Sequence, residues 1–341
     1  MKFSPEVLTL DVPEEIRKLS VSIRQTVRGT FRRKGAVVAL SGGIDSSTCA
    51  ALCTQALGKE NVLALFLPER DSSPDALRLG QVVADRYGLP AVTETIESIL
   101  AAAGCYQRQT EAIRTVFPDY GEGWRCKIIL PSILKGDRLN VSSLTVQSPS
   151  GETRTERLPA TAYLQLVAAT NFKQRTRTMM TYYHADRMNS AVCGTPNRLE
   201  YDQGFFVKGG DGLADFKPIA HLYKTQVYAL ARMLGVPDEI CRRPPTTDTF
   251  SLPQTQEEFY FALPYQHMDL CLYAHDHRIP VEDVAPVLGL TEDQVLRVFK
   301  DIETKRRTTL PLHLSSIVAE PIPEISALTH AALGRHGHEQ E

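Results

Sequence analysis

The sequence predicts an α/β fold: a doubly wound parallel sheet with helices on both faces and an inserted β-hairpin. Three observations carry this. Short apolar runs at 36–40, 61–68, 91–96 and 189–194 are separated by segments whose apolar residues recur every three or four positions. Strands alternating with helices in this way build parallel sheets. The first run breaks into Ser41-Gly42-Gly43 before a helical stretch, which puts a loop at a strand's carboxyl end, where open α/β sheets receive ligands. Finally, residues around Pro149-Ser150-Gly151 alternate apolar and polar, a hairpin signal set inside the α/β rhythm.

The elements follow in order. Ile16, Leu19, Ile23, Val27 and Phe31 fall at spacings of three and four, an amphipathic helix over 14–33. Strand 36–40, the loop at 41–46 and a helix through Leu57 come next. "NVLALFLP", 61–68, is a buried strand, and 74–87 is a helix stopped at Gly88 before Pro90. "AVTETI", 91–96, is a third strand. Residues 118–158 carry the hairpin, with Leu139, Val141, Leu144 and Val146 alternating along it. Helix returns from Ala160 to about Arg187, and "NSAVCG", 189–194, is the next strand. Helices are predicted near 222–234, 256–274 and 291–307. The expected organisation is one domain over 1–320 with the insert at 118–158, and a tail at 321–341.

Composition narrows the function classes. The 341 residues are 43% hydrophobic and 23% charged, as in a soluble globular protein. Lysine and arginine number 38 against 40 acidic residues, a net charge of −2, so nucleic acid is not an expected partner. No apolar run reaches membrane-spanning length, and the N-terminus has no signal-like core. Seven cysteines without a CxxC pair fit reduced thiols, and the expected location is the cytoplasm. Cys49 and Cys53, one helical turn apart, read as small core residues.

The candidate chemistry starts at "LSGGIDSS", 40–47. A strand, a glycine turn and a helix start direct backbone N–H groups and a helix dipole at one point, an anion site. An ordinary turn with Asp45 or Ser46 as N-cap is the plainer reading. No Gly-Lys-Ser/Thr closes the loop, so it is not a Walker loop. Asp45 beside phosphates therefore requires a cation, and Mg²⁺ is held by one or two carboxylates plus phosphate oxygens. Glu200, following the strand that ends at Gly194-Thr195, is the candidate second carboxylate; its plainer reading is a surface helix residue. "GFFVKGGDGLADFKPIAHLYKTQV" supplies a glycine-rich loop with Lys208, Asp211 and Asp215, and Lys224 opens the next helix. Lysines near a phosphate loop act as point charges on phosphates. Asn171, Lys173, Arg175 and Arg177 lie together late in the long helix, and Thr246 and Thr247 sit in the proline-stiffened "RRPPTTDTF". Trp124, Arg125 and Lys127 at the start of the insert are candidates to meet a flat ring or a phosphate, or to be a core anchor and solvated charges.

These residues carry a resemblance. "LSGGIDSS" resembles the signature of the ATP-pyrophosphatase (PP-loop) family, and "NFKQRTRTMM", "CGTPNRLE", "GFFVKGGDGLADFKPI", "LYKTQVYALARMLGVPDEI", "PPTTD" and "PYQHMD" are similar, in that order, to the NAD synthetase series. The similarity covers roughly 14–100 and 165–310. It implies that a carboxylate, expected to be that of nicotinic acid adenine dinucleotide, attacks the ATP α-phosphate, and that ammonia then displaces AMP to give an amide. It places Ser41, Gly42, Gly43 and Ser46 on the pyrophosphate, Thr195, Lys224 and Thr246 on ATP, and Asp45 with Glu200 on Mg²⁺. Asp45 and Lys224 would be the catalytic pair. Arg175, Lys208, Asp215 and Lys305 would bind the acid. The family forms homodimers, and ammonia would arrive free or from a separate glutaminase subunit.

The sequence departs from the family at Thr304-Lys305 in place of His-Lys, at Thr255-Gln256-Glu257 in place of Thr-Asp-Glu, and at Pro196 and Leu199. The departures gather where the acid would bind. A ligase amidating another carboxylate in sugar or secondary metabolism is therefore the main rival. A tRNA-modifying enzyme with the same loop and a non-catalytic nucleotide-binding module are the others, and the latter would not need Asp45, Glu200 and Lys224 together.

Overall fold

The computed structural model describes residues 2–130, 142–247 and 249–325. Helix α1 (Val12–Arg24) starts at Asp11, whose carboxylate accepts the Glu14 N–H at 3.1 Å, and widens into a π-turn at Gln25–Thr30. Then follow β1 (Ala36–Ala39), α2 (Ile44–Leu57), β2 (Val62–Phe66), α3 (Pro74–Tyr87) and β3 (Ala91–Thr93). The expected third strand is shorter than predicted. Short helices α4 (Glu97–Ala102) and α5 (Cys105–Arg114), not predicted, lead to β4 (Arg125–Ile129), β5 (Ser143–Gln147) and β6 (Thr153–Arg157). The 29-residue α6 (Ala160–Met188) then ends on Asn189 at φ 52° and feeds β7 (Ala191–Cys193).

The main sheet has the order β3-β2-β1-β7, all parallel, with Ala36 facing both Val62 and Ala191. Because alternate strand residues point to opposite faces, the apolar runs serve two cores. Ala36, Val38, Ala64 and Phe66 pack under Leu19 and Ile23 of α1 and Leu52 and Cys53 of α2. Val37, Leu63, Leu65 and Val192 pack under Ile96, Leu100 and Ala185 on the other face. Both faces are buried, so the strands read as continuous apolar runs. Consecutive strands step outward from β1 to β3, and the chain then returns to β7 on the other side of β1. That reversal opens a crevice at the carboxyl ends of β1 and β7.

The insert is more than a hairpin. β5 and β6 pair across the Ser148–Gly151 turn as predicted, but β4 adds a third antiparallel strand. Cys126, Ile128, Leu144 and Val146 bury one face of this small sheet against Ile113 and Phe117 on one side and Leu166 of α6. Leu139 and Val141 lie outside the described residues.

The C-terminal part holds α7 (Arg198–Gln203), α8 (Lys224–Leu234), α9 (Asp238–Arg242), α10 (Tyr265–Asp276), α11 (Val281–Leu288) and α12 (Glu292–His313). The helix predicted over 256–274 is broken: a π-turn at Glu257–Phe261 ends at Ala262, φ 54°, and Pro264 starts α10 afresh. Among the described residues no helix is long and apolar enough to cross a membrane.

Candidate active site

The β1–α2 loop is shaped by one glycine above all. Gly42 has φ 71°, and a Cβ there would sit 2.7 Å from the Ala76 carbonyl oxygen and 2.7 Å from the Leu79 Cβ. Left-handed backbone and close approach to α3 both require glycine. Ser41 Oγ then accepts the Gly43 N–H at 3.3 Å and lies 3.2 Å from Ser46 Oγ, while Ser46 and Ser47 donate to the Gly43 carbonyl. Gly43 is the N-cap of α2 and brings no side chain to cap it. The leading N–H groups of a 14-residue helix are thus left to a ligand.

Four side chains from three elements converge beside this loop. Asp45 lies in the first turn of α2, Lys224 opens α8, and Asn197 and Glu200 start α7. Lys224 Nζ makes a short ion pair with Asp45 Oδ2, and Asn197 Nδ2 donates to Asp45 Oδ1 at 3.2 Å. The Asn197 N–H donates to Glu200 Oε2 at 3.1 Å and its Oδ1 accepts the Glu200 N–H at 3.2 Å, so one residue holds both carboxylates. Gln256 Nε2 completes the set, donating to Glu200 Oε1 at 2.8 Å. Burial, followed by the charge of Asp45, pushes the Glu200 carboxyl up to about 7. For Lys224 burial acts downward, but the charges of Asp45 and Glu200 prevail and hold it above the usual lysine range. Asp269 fixes the lysine's backbone, accepting the N–H groups of Lys224 and Thr225 at 3.1 and 2.7 Å.

Asp45, Glu200, Lys224 and Gln256 line a cavity of about 470 Å³ at the crevice. Ser41, Gly42, Gly43, Asp45, Ser46, Thr195, Glu200, Lys224 and Thr246 all border it. Thr195 follows Gly194, where a Cβ would lie 2.7 Å from Ala214 and 2.9 Å from the Lys217 stem. Asn171, Lys173, Arg177 and Thr247 border it too. The four residues expected on the acid do not. Arg175 Nε donates to the Lys208 carbonyl at 3.3 Å, and Lys208 Nζ donates to the carbonyls of Pro311 and Leu314 at 2.7 and 3.1 Å. Asp215 accepts the Val192 N–H at 2.7 Å and the Tyr182 hydroxyl at 3.2 Å. Lys305 pairs with Asp301 at 2.7 Å and donates to the Tyr260 carbonyl at 2.8 Å. Trp124 packs on Tyr120 with Arg154 over its ring, Arg125 donates to the Ser251 carbonyl, and Lys127 pairs with Glu258.

Sequence reasoning missed the parts that three residues play, although it had singled out Lys173 as a candidate phosphate cation. Asn197 was signalled, since Asn-x-x-Glu is a capping pattern. Gln256 carried no local signal. Lys173 is buried and pairs with Glu69 at 3.0 Å and Asp71 at 2.7 Å, and donates to the Thr249 carbonyl at 2.9 Å. It ties two loops of the cavity wall to α6, through carboxylates about a hundred residues away in sequence. Burial acts to raise Asp71, but Lys173 and Arg70 outweigh it and hold the carboxyl low.

Among the described residues no group of three or more His, Cys, Asp or Glu side chains forms a metal cluster. Asp45 and Glu200 nevertheless fit a hard divalent cation: their oxygens face one cavity, their charges repel, and the Lys224 ammonium is the cation paired with Asp45.

A family model described as NAD synthase matches residues 15–117 and 139–309. The "NH(3)-dependent NAD(+) synthetase" of Mesorhizobium japonicum is 58% identical over 318 residues, covering 93% of this chain and all of that protein. The protein of the same name from Thermotoga maritima is 35% identical over 84% of this chain and 95% of its own length. Two solved structures share the fold. The NH3-dependent NAD synthetase from Campylobacter jejuni gives a TM-score of 0.59 at 22% identity, over 91% of this chain and all of that one. The NMN synthetase from Francisella tularensis gives 0.61 at 21%, over 92% and all. With a phosphate-shaped loop, a paired lysine and two carboxylates at one crevice, and a match of this extent, the chain belongs to the NAD synthase family.

Proposed function

We propose that the protein is an ATP-dependent amide ligase that uses ammonia to convert nicotinic acid adenine dinucleotide to NAD, releasing AMP and pyrophosphate. The observation that carries this is the convergence of the β1–α2 loop, Asp45, Glu200 and Lys224 at one cavity. The acid's carboxylate attacks the α-phosphorus, and negative charge builds on the departing pyrophosphate. That charge needs preorganised donors and cations rather than a protein nucleophile. The loop N–H groups, Ser41 and Ser46 receive the pyrophosphate, and Lys224 stands beside it as a buried ammonium. Thr195 and Thr246 border the same cavity and contact ATP there. Asp45 and Glu200 would hold Mg²⁺, which would supply neutralisation of phosphate charge. Asn197 and Gln256 keep the two carboxylates aimed into the cavity.

The acid's remaining contacts, Arg175, Lys208, Asp215 and Lys305, lie outside the cavity of one chain. That arrangement suits a homodimer in which a second copy completes the acid site. Leu164, Met179 and Tyr183 of α6 are 65, 54 and 57% exposed, an apolar face available to it. Relatives at 54–58% identity carry the ammonia-dependent name, which favours this acid over another carboxylate and ammonia over a glutaminase domain. Quantifying AMP, pyrophosphate and NAD from ATP, the acid dinucleotide and ammonium tests the reading; no amide product would overturn it.

A further inference from the structure

Behind the ATP cavity lies a second one of about 310 Å³. The two share a wall, because Lys224, Tyr228, Gln256 and the Arg243–Pro245 turn border both. On the far side it is bordered by Cys241, Leu263 and Tyr265, the Tyr265 ring stacking on Tyr228 at 5.2 Å. The wall's inner groups are those already engaged at the site: Lys224 with Asp45 and Gln256 with Glu200. A small molecule crossing this wall therefore emerges at the phosphate end of the first cavity, beside the two carboxylates.

Resting on the ligase reading, we infer that this second cavity is the entry route by which neutral ammonia reaches the acyl-adenylate. The first cavity has to hold ATP and the acid together, and both are many times larger than ammonia. With both bound its mouth is occupied, and the third reactant needs a path of its own. The charges along the second cavity are balanced. Lys224 and Arg242 are paired with Asp45 and Asp238, which leaves Arg243 against the single bordering carboxylate of Glu257, so the lining carries no excess negative charge to hold ammonium and passes neutral ammonia. At the wall the ammonia lone pair forms the C–N bond to the acyl carbon. The bond from that carbon to the AMP phosphate oxygen breaks with its electron pair going to the phosphate. One N–H proton is lost to the phosphate or to water.

Cys241 makes the route testable, because it is half-buried while the other six cysteines are buried. It borders the second cavity and not the first. N-ethylmaleimide on the full-length enzyme should alkylate it selectively and raise the KM for ammonium about tenfold or more. Acid-dependent ATP–pyrophosphate exchange, which needs no ammonia, should keep its rate and its KM for ATP. Cys241→Ala treated with the same reagent should behave as untreated enzyme. Cys241→Trp carries the same expectation without depending on thiol reactivity. An unchanged KM for ammonium in Cys241→Trp, or a parallel loss of exchange, would overturn the route. Absence of acid-dependent exchange in unmodified enzyme would instead overturn the ligase reading on which it rests.

Discussion

Asp45 and Lys224 meet across 179 positions of sequence, and their interdependence makes the first prediction. Lys224→Met leaves Asp45 without its cation in a partly closed cavity, so stability should fall, by at most about 3 kcal/mol given the opening to solvent. Turnover should fall on the order of 10²–10³ for a lost charge stabiliser. Asp45→Asn with Lys224→Met should recover stability and not turnover, since two charges are removed together. Thermal unfolding and AMP release separate the two effects; recovery of turnover in the double variant would contradict the assignment. Gly42→Ala makes a second test. Its left-handed backbone costs roughly 1–2 kcal/mol for any other residue, and the contact with Ala76 adds to it. Gly29, where an added Cβ meets nothing within 4 Å, should accept alanine with little change. At this scale Ser41, Gly42, Gly43, Asp45 and Glu200 were legible because residue type and strand-end position coincide. Gln256 and the Glu69–Lys173–Asp71 group were not, because their partners come from distant loops and leave no local spacing.

Helix α8 shows how an element positions a reactive group. Its first two N–H groups are capped from outside by Asp269 of α10, not by a neighbour in sequence. Burial outweighs those donors and pushes the Asp269 carboxyl up to about 7. A raised carboxyl binds more protons in the fold than in the unfolded chain. The stability this contributes is full in acid, below the unfolded value, and is lost as pH rises through about 7. Asp269→Asn cannot ionise, so its stability relative to the parent should improve between pH 6 and pH 8. Thermal unfolding at the two values checks the sign; an unchanged difference would contradict it. Asp269→Ala should also lower turnover by loosening Lys224. The parallel strands were readable from their continuous apolar runs, as both sheet faces are buried. The third strand β4 was not, because it is set by tertiary contact: it pairs with β5 across the insert, and the Cys126 carbonyl accepts the Leu252 N–H. The break at Ala262 did carry a local signal, Pro264, which starts α10 afresh.

For the molecule as a whole, the insert's place against α5, α6 and the 250–259 segment bears on which acid is bound. Residues 118–158 should shape the acid pocket from that position. Replacing the turn 148–152 should leave both substrate constants alone. Shortening 136–156 should change the KM for the acid more than that for ATP, and will lower stability by uncovering Ile113 and Leu166. Equal shifts in both constants would reduce the small sheet to a packing role. Met179→Asp on the exposed α6 face should shift the chain toward monomer in light scattering, and acid turnover should fall with it; an unchanged mass would contradict a dimer through α6. Cleavage of ATP between its α and β phosphates to make an amide is the reaction assigned to this crevice. Its most direct test is the product balance of the purified chain given ATP, nicotinic acid adenine dinucleotide and ammonium. Equal amounts of AMP, pyrophosphate and NAD are predicted, and ADP with phosphate, or ATP cleavage without NAD, would contradict it.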